Sequence, residues 1–175
     1  MNTEKRRGLI LLSLDVSISS TGYAIFEEND LVTYGKIITK KKDFETEDLR
    51  INYICDIIKE ITIEYSIDKL VCEEQFAGIN QSTILLLRKL IGAIMRTVNE
   101  YGISIKYYYP VQWRKILNIN KGKDKKELAY NYLADNNIIN FEFKPKGANK
   151  NDDICDAICI GIAYLKDKER EQNVL

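Results

Sequence analysis

Residues 9–39 read LILLSLDVSISSTGYAIFEENDLVTYGKIIT, and the architecture follows from this stretch. Leu9–Leu14 is a mostly apolar run, short enough for a central strand and well short of the roughly 18 residues a membrane helix needs. Ser17–Ser20 reads as a turn, and Gly22–Phe26 and Leu31–Thr39 follow as two further strands, so a three-stranded meander is expected. Met1–Leu14 places basic residues ahead of an apolar run, superficially as a signal peptide does. Asp15 follows directly and no small-residue cleavage site appears, so the run is expected to be a buried strand.

Beyond the meander the period of the apolar residues changes. Ile51, Ile54, Ile57, Ile58 and Ile61 recur at three and four residues, which predicts a helix over Asp48–Glu64. Leu70–Glu73 is a short strand. Ser82–Tyr101 is a long helix whose Leu85, Leu86, Leu87, Leu90, Ile91, Ile94 and Val98 cover a wide arc. Ile103, Ile105, Tyr107 and Tyr109 form a fifth strand that runs to Pro110. A short helix is expected around Trp113–Leu117, a loop at Asn118–Lys123, a helix from Asp124 to about Asn136, irregular chain over Phe141–Lys150, and a last helix from Asn151 to about Lys168. The order βββαβαβ followed by helices is α/β: a mixed five-stranded sheet flanked by helices, the order of the ribonuclease H-like fold. A single domain over 1–175 is expected from the length.

Of the 175 residues 45% are hydrophobic and 30% charged, only two are proline, and none is histidine. That last number excludes Ser-His and Cys-His nucleophilic catalysis and every zinc site that needs imidazole. Formal net charge is zero, from 26 basic and 26 acidic residues, which argues mildly against a nucleic-acid binder. The distribution qualifies the sum: Lys106–Lys126 holds seven basic residues and one acid, Asp124, and Lys144, Lys146 and Lys150 lie in a stretch without acids. These are either solvated surface or phosphate contacts. Cys55, Cys72, Cys155 and Cys159 show no metal-type spacing, and buried, reduced thiols in a cytoplasmic protein are expected.

The carboxylates carry the chemistry. Asp15 ends the first strand, where it is either a turn residue or a ligand. Glu73 and Glu74 end the fourth, and period-two alternation sends one to each face of the sheet, so one of them can join Asp15. ICDAICIGIAYL (154–165) is apolar nearly all round except for Asp156, and an unpaired charge in such a helix costs several kcal/mol. Asp153 lies one turn earlier on the same face. Asn151 as N-cap and acids in the first turn account for Asp152 and Asp153, but less well for Asp156. Three separated carboxylate elements with hard oxygen donors point to Mg²⁺ or Mn²⁺ acting on a phosphodiester.

At these residues the chain resembles the RuvC family of Holliday junction resolvases. LLSLDVSISSTGYAIF (11–26) is similar to the family's first strand with its catalytic aspartate, DKLVCEEQFAGIN (68–80) to its fourth-strand segment, and NDDICDAICIGIAYL (151–165) to its terminal helix with a D-x-x-D-A pattern. The resemblance implies a crossover junction endodeoxyribonuclease, a magnesium-dependent hydrolase of DNA recombination and repair. It implies Asp15, Glu73, Asp153 and Asp156 as catalytic metal ligands, with Glu74 one position from Glu73 and Asp152 a spare acid. It also implies one or two Mg²⁺ per subunit, with Mn²⁺ as a substitute. VQWRK (111–115) and DKKEL (124–128) resemble segments that contact DNA, which points to Arg114, Lys125 and Lys126, and Phe76 is placed as a residue that stacks on a base. The long second helix, with Gly92 at a close-packing position, resembles the family's homodimer interface. Branched DNA, four-way junctions and forks among it, is the implied partner, with no membrane and a cytoplasmic setting. The text around the motifs looks more like phage or low-GC Firmicute versions. The alternatives are an RNA-processing nuclease of the YqgF type, an actin-like ATPase domain, for which D-x-S-x-x-x-T-G also fits but the length does not, and a binding module without activity.

Overall fold

The computed structural model describes residues 8–74, 80–121, 125–147 and 149–173, and the side chains of Lys125 and Lys126 lie outside that description. Five strands, β1 (Ile10–Asp15), β2 (Ser20–Glu27), β3 (Asp30–Ile38), β4 (Lys69–Glu73) and β5 (Ser104–Tyr108), form one sheet in the order β3-β2-β1-β4-β5. The meander is antiparallel, whereas β1–β4 and β4–β5 are parallel, so the sheet is mixed and β1 is central. The helices are α1 (Glu47–Glu64), α2 (Gln81–Asn99), α3 (Pro110–Ile116), α4 (Lys125–Asp135) and α5 (Asp152–Gln172).

Period-two alternation divides the core. Leu12, Leu14, Leu70 and Cys72 pack with α1 and α2 on one face, and Leu11 and Val71 pack with Trp113, Leu133 and Ile158 on the other. Odd-numbered residues of β1 and β4 therefore point toward α5. Asp15 and Glu73 follow Leu11 and Val71 in that parity; Glu74 follows Leu70 and Cys72 to the opposite face.

Helix α5 lies unusually close to the sheet because the sequence leaves room for it. A β-carbon on Gly22 would lie 2.0 Å from the carbonyl oxygen of Asp153, and one on Gly161 would lie 2.2 Å from Cε2 of Phe26. Between them Ser13 Oγ donates to the Ala157 carbonyl at 2.8 Å. Asn151 precedes α5, but its side chain makes no capping bond to the helix. It is spent instead on the irregular segment before it: Nδ2 donates to the Glu142 carbonyl at 2.9 Å and Oδ1 accepts from the Lys144 N–H at 2.8 Å. Among the described residues no helix is long and apolar enough to cross a membrane, and all four cysteines are free and buried.

Candidate active site

Asp15 is the last residue of β1 and pairs with Gly22 across β2. The turn that follows is rigid: Thr21 Oγ1 donates to the Ser17 carbonyl at 2.6 Å, and the buried Arg50 bonds Ser19 Oγ at 3.1 Å and the Thr39 carbonyl at 3.0 Å. Burial holds the Asp15 carboxyl well above the usual carboxylate range, and the charges of Asp156, Glu73, Asp153 and Asp152 push it the same way. Like charges gathered in a poorly solvated place are unstable unless cations compensate them.

Glu73 shares that face. Burial raises its pKa, while a hydrogen bond from Trp113 and the nearby Arg114 guanidinium act in the opposite direction. Trp113 is fully buried and its Nε1 donates to Glu73 Oε2 at 2.8 Å. Arg114 stacks on the Trp113 ring at 4.2 Å and reaches Asp156 Oδ2 at 3.6 Å, with its side chain only 12% exposed. Arg114, expected to contact DNA, thus lies beside the acidic cluster.

On the far side Asp152 and Asp153, both buried in the first turn of α5, face Lys150. Its ammonium lies 2.9 Å from Asp153 Oδ1 and 3.5 Å from Asp152 Oδ1. Burial pulls the Lys150 pKa down, but the two aspartates outweigh it and leave the group above its ordinary value. Asp153 Oδ2 is buried and has no hydrogen-bond partner among the described residues.

The donors are carboxylate oxygens from three elements, a set that suits a hard divalent cation such as Mg²⁺ or Mn²⁺. The repulsion around Asp15 and the orphaned Asp153 oxygen fit such an ion. Among the described residues no three of these side chains are grouped closely enough to hold an ion, and Lys150 and Arg114 are described cations that lie against the carboxylates.

Of the residues expected from sequence, Asp15, Glu73, Asp153, Asp156 and Arg114 are brought together. Glu74 lies on the opposite face, and Asp152 is as buried as Asp153. Phe76 lies outside the described residues, as do the side chains of Lys125 and Lys126. Trp113 and Lys150 were not singled out for this site. The chain's single tryptophan beside an arginine was a signal for the first; a lysine three residues before an acid is too common to be one for the second.

Comparison with known proteins identifies the family. The model of the family described as Crossover junction endodeoxyribonuclease RuvC matches residues 11–164. The RuvC of Rickettsia bellii is 27% identical over 164 residues, covering 91% of this chain and 99% of that protein. The RuvC of Ehrlichia ruminantium (strain Gardel) is 30% identical, covering 89% and 95%. Among solved structures, Thermus thermophilus RuvC in complex with a Holliday junction substrate aligns with a TM-score of 0.71 at 15% identity, covering 93% of this chain and 96% of that one. The fowlpox virus resolvase, solved with substrate Holliday junction DNA, gives 0.59 at 17% identity, covering 91% and 99%. The match over most of the length, on a sheet that carries the acidic cluster at its centre, means that this chain belongs to the RuvC family of crossover junction endodeoxyribonucleases.

Proposed function

We propose that the chain hydrolyses phosphodiesters at four-way DNA junctions and related branched DNA, with Asp15, Glu73, Asp153 and Asp156 as the ligands of one or two Mg²⁺ ions, for which Mn²⁺ can substitute. The observation that carries this reading is the meeting of carboxylates from β1, β4 and α5 on one face of the sheet, around an Asp15 whose proton affinity they raise. A bound divalent cation supplies Lewis acidity at the phosphodiester and a water acidified enough to attack it. The protein's part is positioning. Trp113 holds Glu73 by its hydrogen bond, and Arg114, held over the indole, balances charge at Asp156. The close seat of α5 on Gly22 keeps Asp153 at the end of β1.

Two copies acting together suit a substrate with two-fold symmetry, since a homodimer presents two sites to opposed strands. The exposed Leu85 and Met95 of α2 are the surface assigned to that contact. Lys125 and Lys126 on α4 and Phe76 beyond β4 are assigned to DNA phosphates and to stacking on a base. The setting is the cytoplasm, in a single nuclease domain.

The test is a nicking assay on junction, fork, duplex and structured RNA, with and without Mg²⁺. Paired symmetric nicks in the junction, dependent on metal, are expected. Asp15→Asn should lose far more than the roughly 10–100-fold typical of an outer-shell change at a metal site, while still binding the junction. Preferential cutting of RNA, or undiminished cutting by Asp15→Asn, would sink this assignment.

A further inference from the structure

Two of the described cations, Arg114 and Lys150, lie against the carboxylates and are held differently. Arg114 is largely buried and stacked on a fully buried indole, so it cannot leave without stripping its partners. Lys150 has a side chain 36% exposed, and its flexible stem can carry the ammonium into water once another cation takes its place at the two buried aspartates.

Yet Lys150 is no arbitrary surface lysine, because its backbone is fixed in a built position. Its N–H donates to the Gly147 carbonyl at 3.2 Å, and its own carbonyl accepts from Lys36 Nζ at 2.6 Å. The neighbouring Asn151 cross-links the segment through Glu142 and Lys144, and the segment is pinned by Phe141 against Tyr34 and Phe143 stacked on Tyr130 at 4.9 Å. Irregular chain is thus organised to deliver one movable positive charge to Asp153 Oδ1, at 2.9 Å.

A divalent cation drawn to Asp153 meets that charge at the same carboxylate. We propose that Lys150 is a tethered competitor for the metal: its ammonium neutralises Asp153 and Asp152 in the free chain, and its departure sets how much free metal is needed to load the site. The proposal rests on the metal-ligand reading given above. Lys150 is accordingly a positioning residue, acting through Asp153 and Asp152 and not through the substrate.

The test is Mn²⁺ binding to the DNA-free chain, by calorimetry at fixed pH, for the wild type, Lys150→Gln, Lys150→Met, Lys150→Arg and Lys146→Gln. Lys146 is exposed on the same segment, so its variant makes the same charge change away from the carboxylates. Lys150→Gln and Lys150→Met should each bind Mn²⁺ about tenfold more tightly, equivalent to 1.4 kcal/mol. Lys150→Arg, which keeps the charge, and Lys146→Gln should stay near the wild type. Unchanged or weaker binding by both neutral variants at Lys150 overturns the proposal, and so does an equal gain in Lys146→Gln, which would make the effect one of diffuse charge. A wild-type chain that binds no Mn²⁺ overturns the metal-ligand reading itself, a result distinct from wild-type binding that the Lys150 variants leave unaltered.

Discussion

Helices α2 and α5 lie on opposite faces of the sheet, and each has one glycine within it, Gly92 and Gly161. In the sequence the two positions look alike, small residues in apolar helices. In the structure they are opposites. The space a β-carbon would need at Gly161 is already taken by Phe26 and by Ser13 Oγ, 2.2 and 2.8 Å away, whereas a β-carbon at Gly92 would meet nothing within 4 Å. Over residues 152–165 helix α5 has no exposed side chain, its aspartates included, while α2 buries only Leu87, Leu90, Ile94 and Val98 and leaves Leu85 60% exposed. A glycine inside a helix costs about 1 kcal/mol relative to alanine, so each needs a compensating reason. At Gly161 the reason is inside this chain, in the close seat that holds the carboxylates of α5 over β1. At Gly92 no described residue supplies one, and the contact with a second copy proposed above for α2 would.

The sharpest way to break this contrast is to fill both glycines. Gly161→Ala should destabilise the chain by about 1–3 kcal/mol, the usual cost of overpacking a core, despite the gain in helix propensity. The shift should appear as a lower denaturation midpoint with an unchanged slope. A neutral or stabilised Gly161→Ala would mean that Phe26 yields easily and that α5 is not seated by that contact. Gly92→Leu should leave the subunit's own fold intact and weaken self-association at least about tenfold, equivalent to 1.4 kcal/mol, as read by sedimentation. Unaltered self-association would place the interface elsewhere than on α2.

The order of strands and helices was legible because alternation of period two and recurrence at three and four residues report which side of each element is buried. Asp15 and Asp156 were legible for the complementary reason: an acid at the end of an apolar strand, or in an apolar helix, lacks an ordinary explanation. The choice between Glu73 and Glu74 was not, since alternation separates the two without saying which face receives the last helix. Burial of Val71 on the α5 side puts Glu73 there. The placement of Arg114 was hidden for another reason. A basic run looks like solvated surface, and nothing in VQWRK announces that the indole will carry the guanidinium inward. Lys150 depends on an irregular segment held by side-chain bonds from Asn151, and such segments have no period to read. Asn151 itself shows the hazard, being a residue suited to capping whose side chain is committed elsewhere.

The smallest effect concerns the charge that distinguishes the two helices. The Asp15 carboxyl, packed against the acidic end of α5, has its pKa raised by burial first and then by Asp156, Glu73, Asp153 and Asp152. In the unfolded chain it returns to about 3.9. An acid whose folded pKa lies above its unfolded one binds its proton more tightly when folded, so its favourable contribution is complete below the unfolded value. That contribution is lost as pH rises through the window between the two, and above that window the group opposes folding. Asp15→Asn removes the titration. Without metal the variant should therefore melt above the wild type at pH 7, with the gap narrowing steadily as pH falls toward 4. Adding Mg²⁺ should raise the wild-type melting temperature more than that of the variant, since the ion relieves the same repulsion. A gap that stays constant with pH would mean that the asparagine acts through packing, and that the acidic end of α5 places no electrostatic load on the fold.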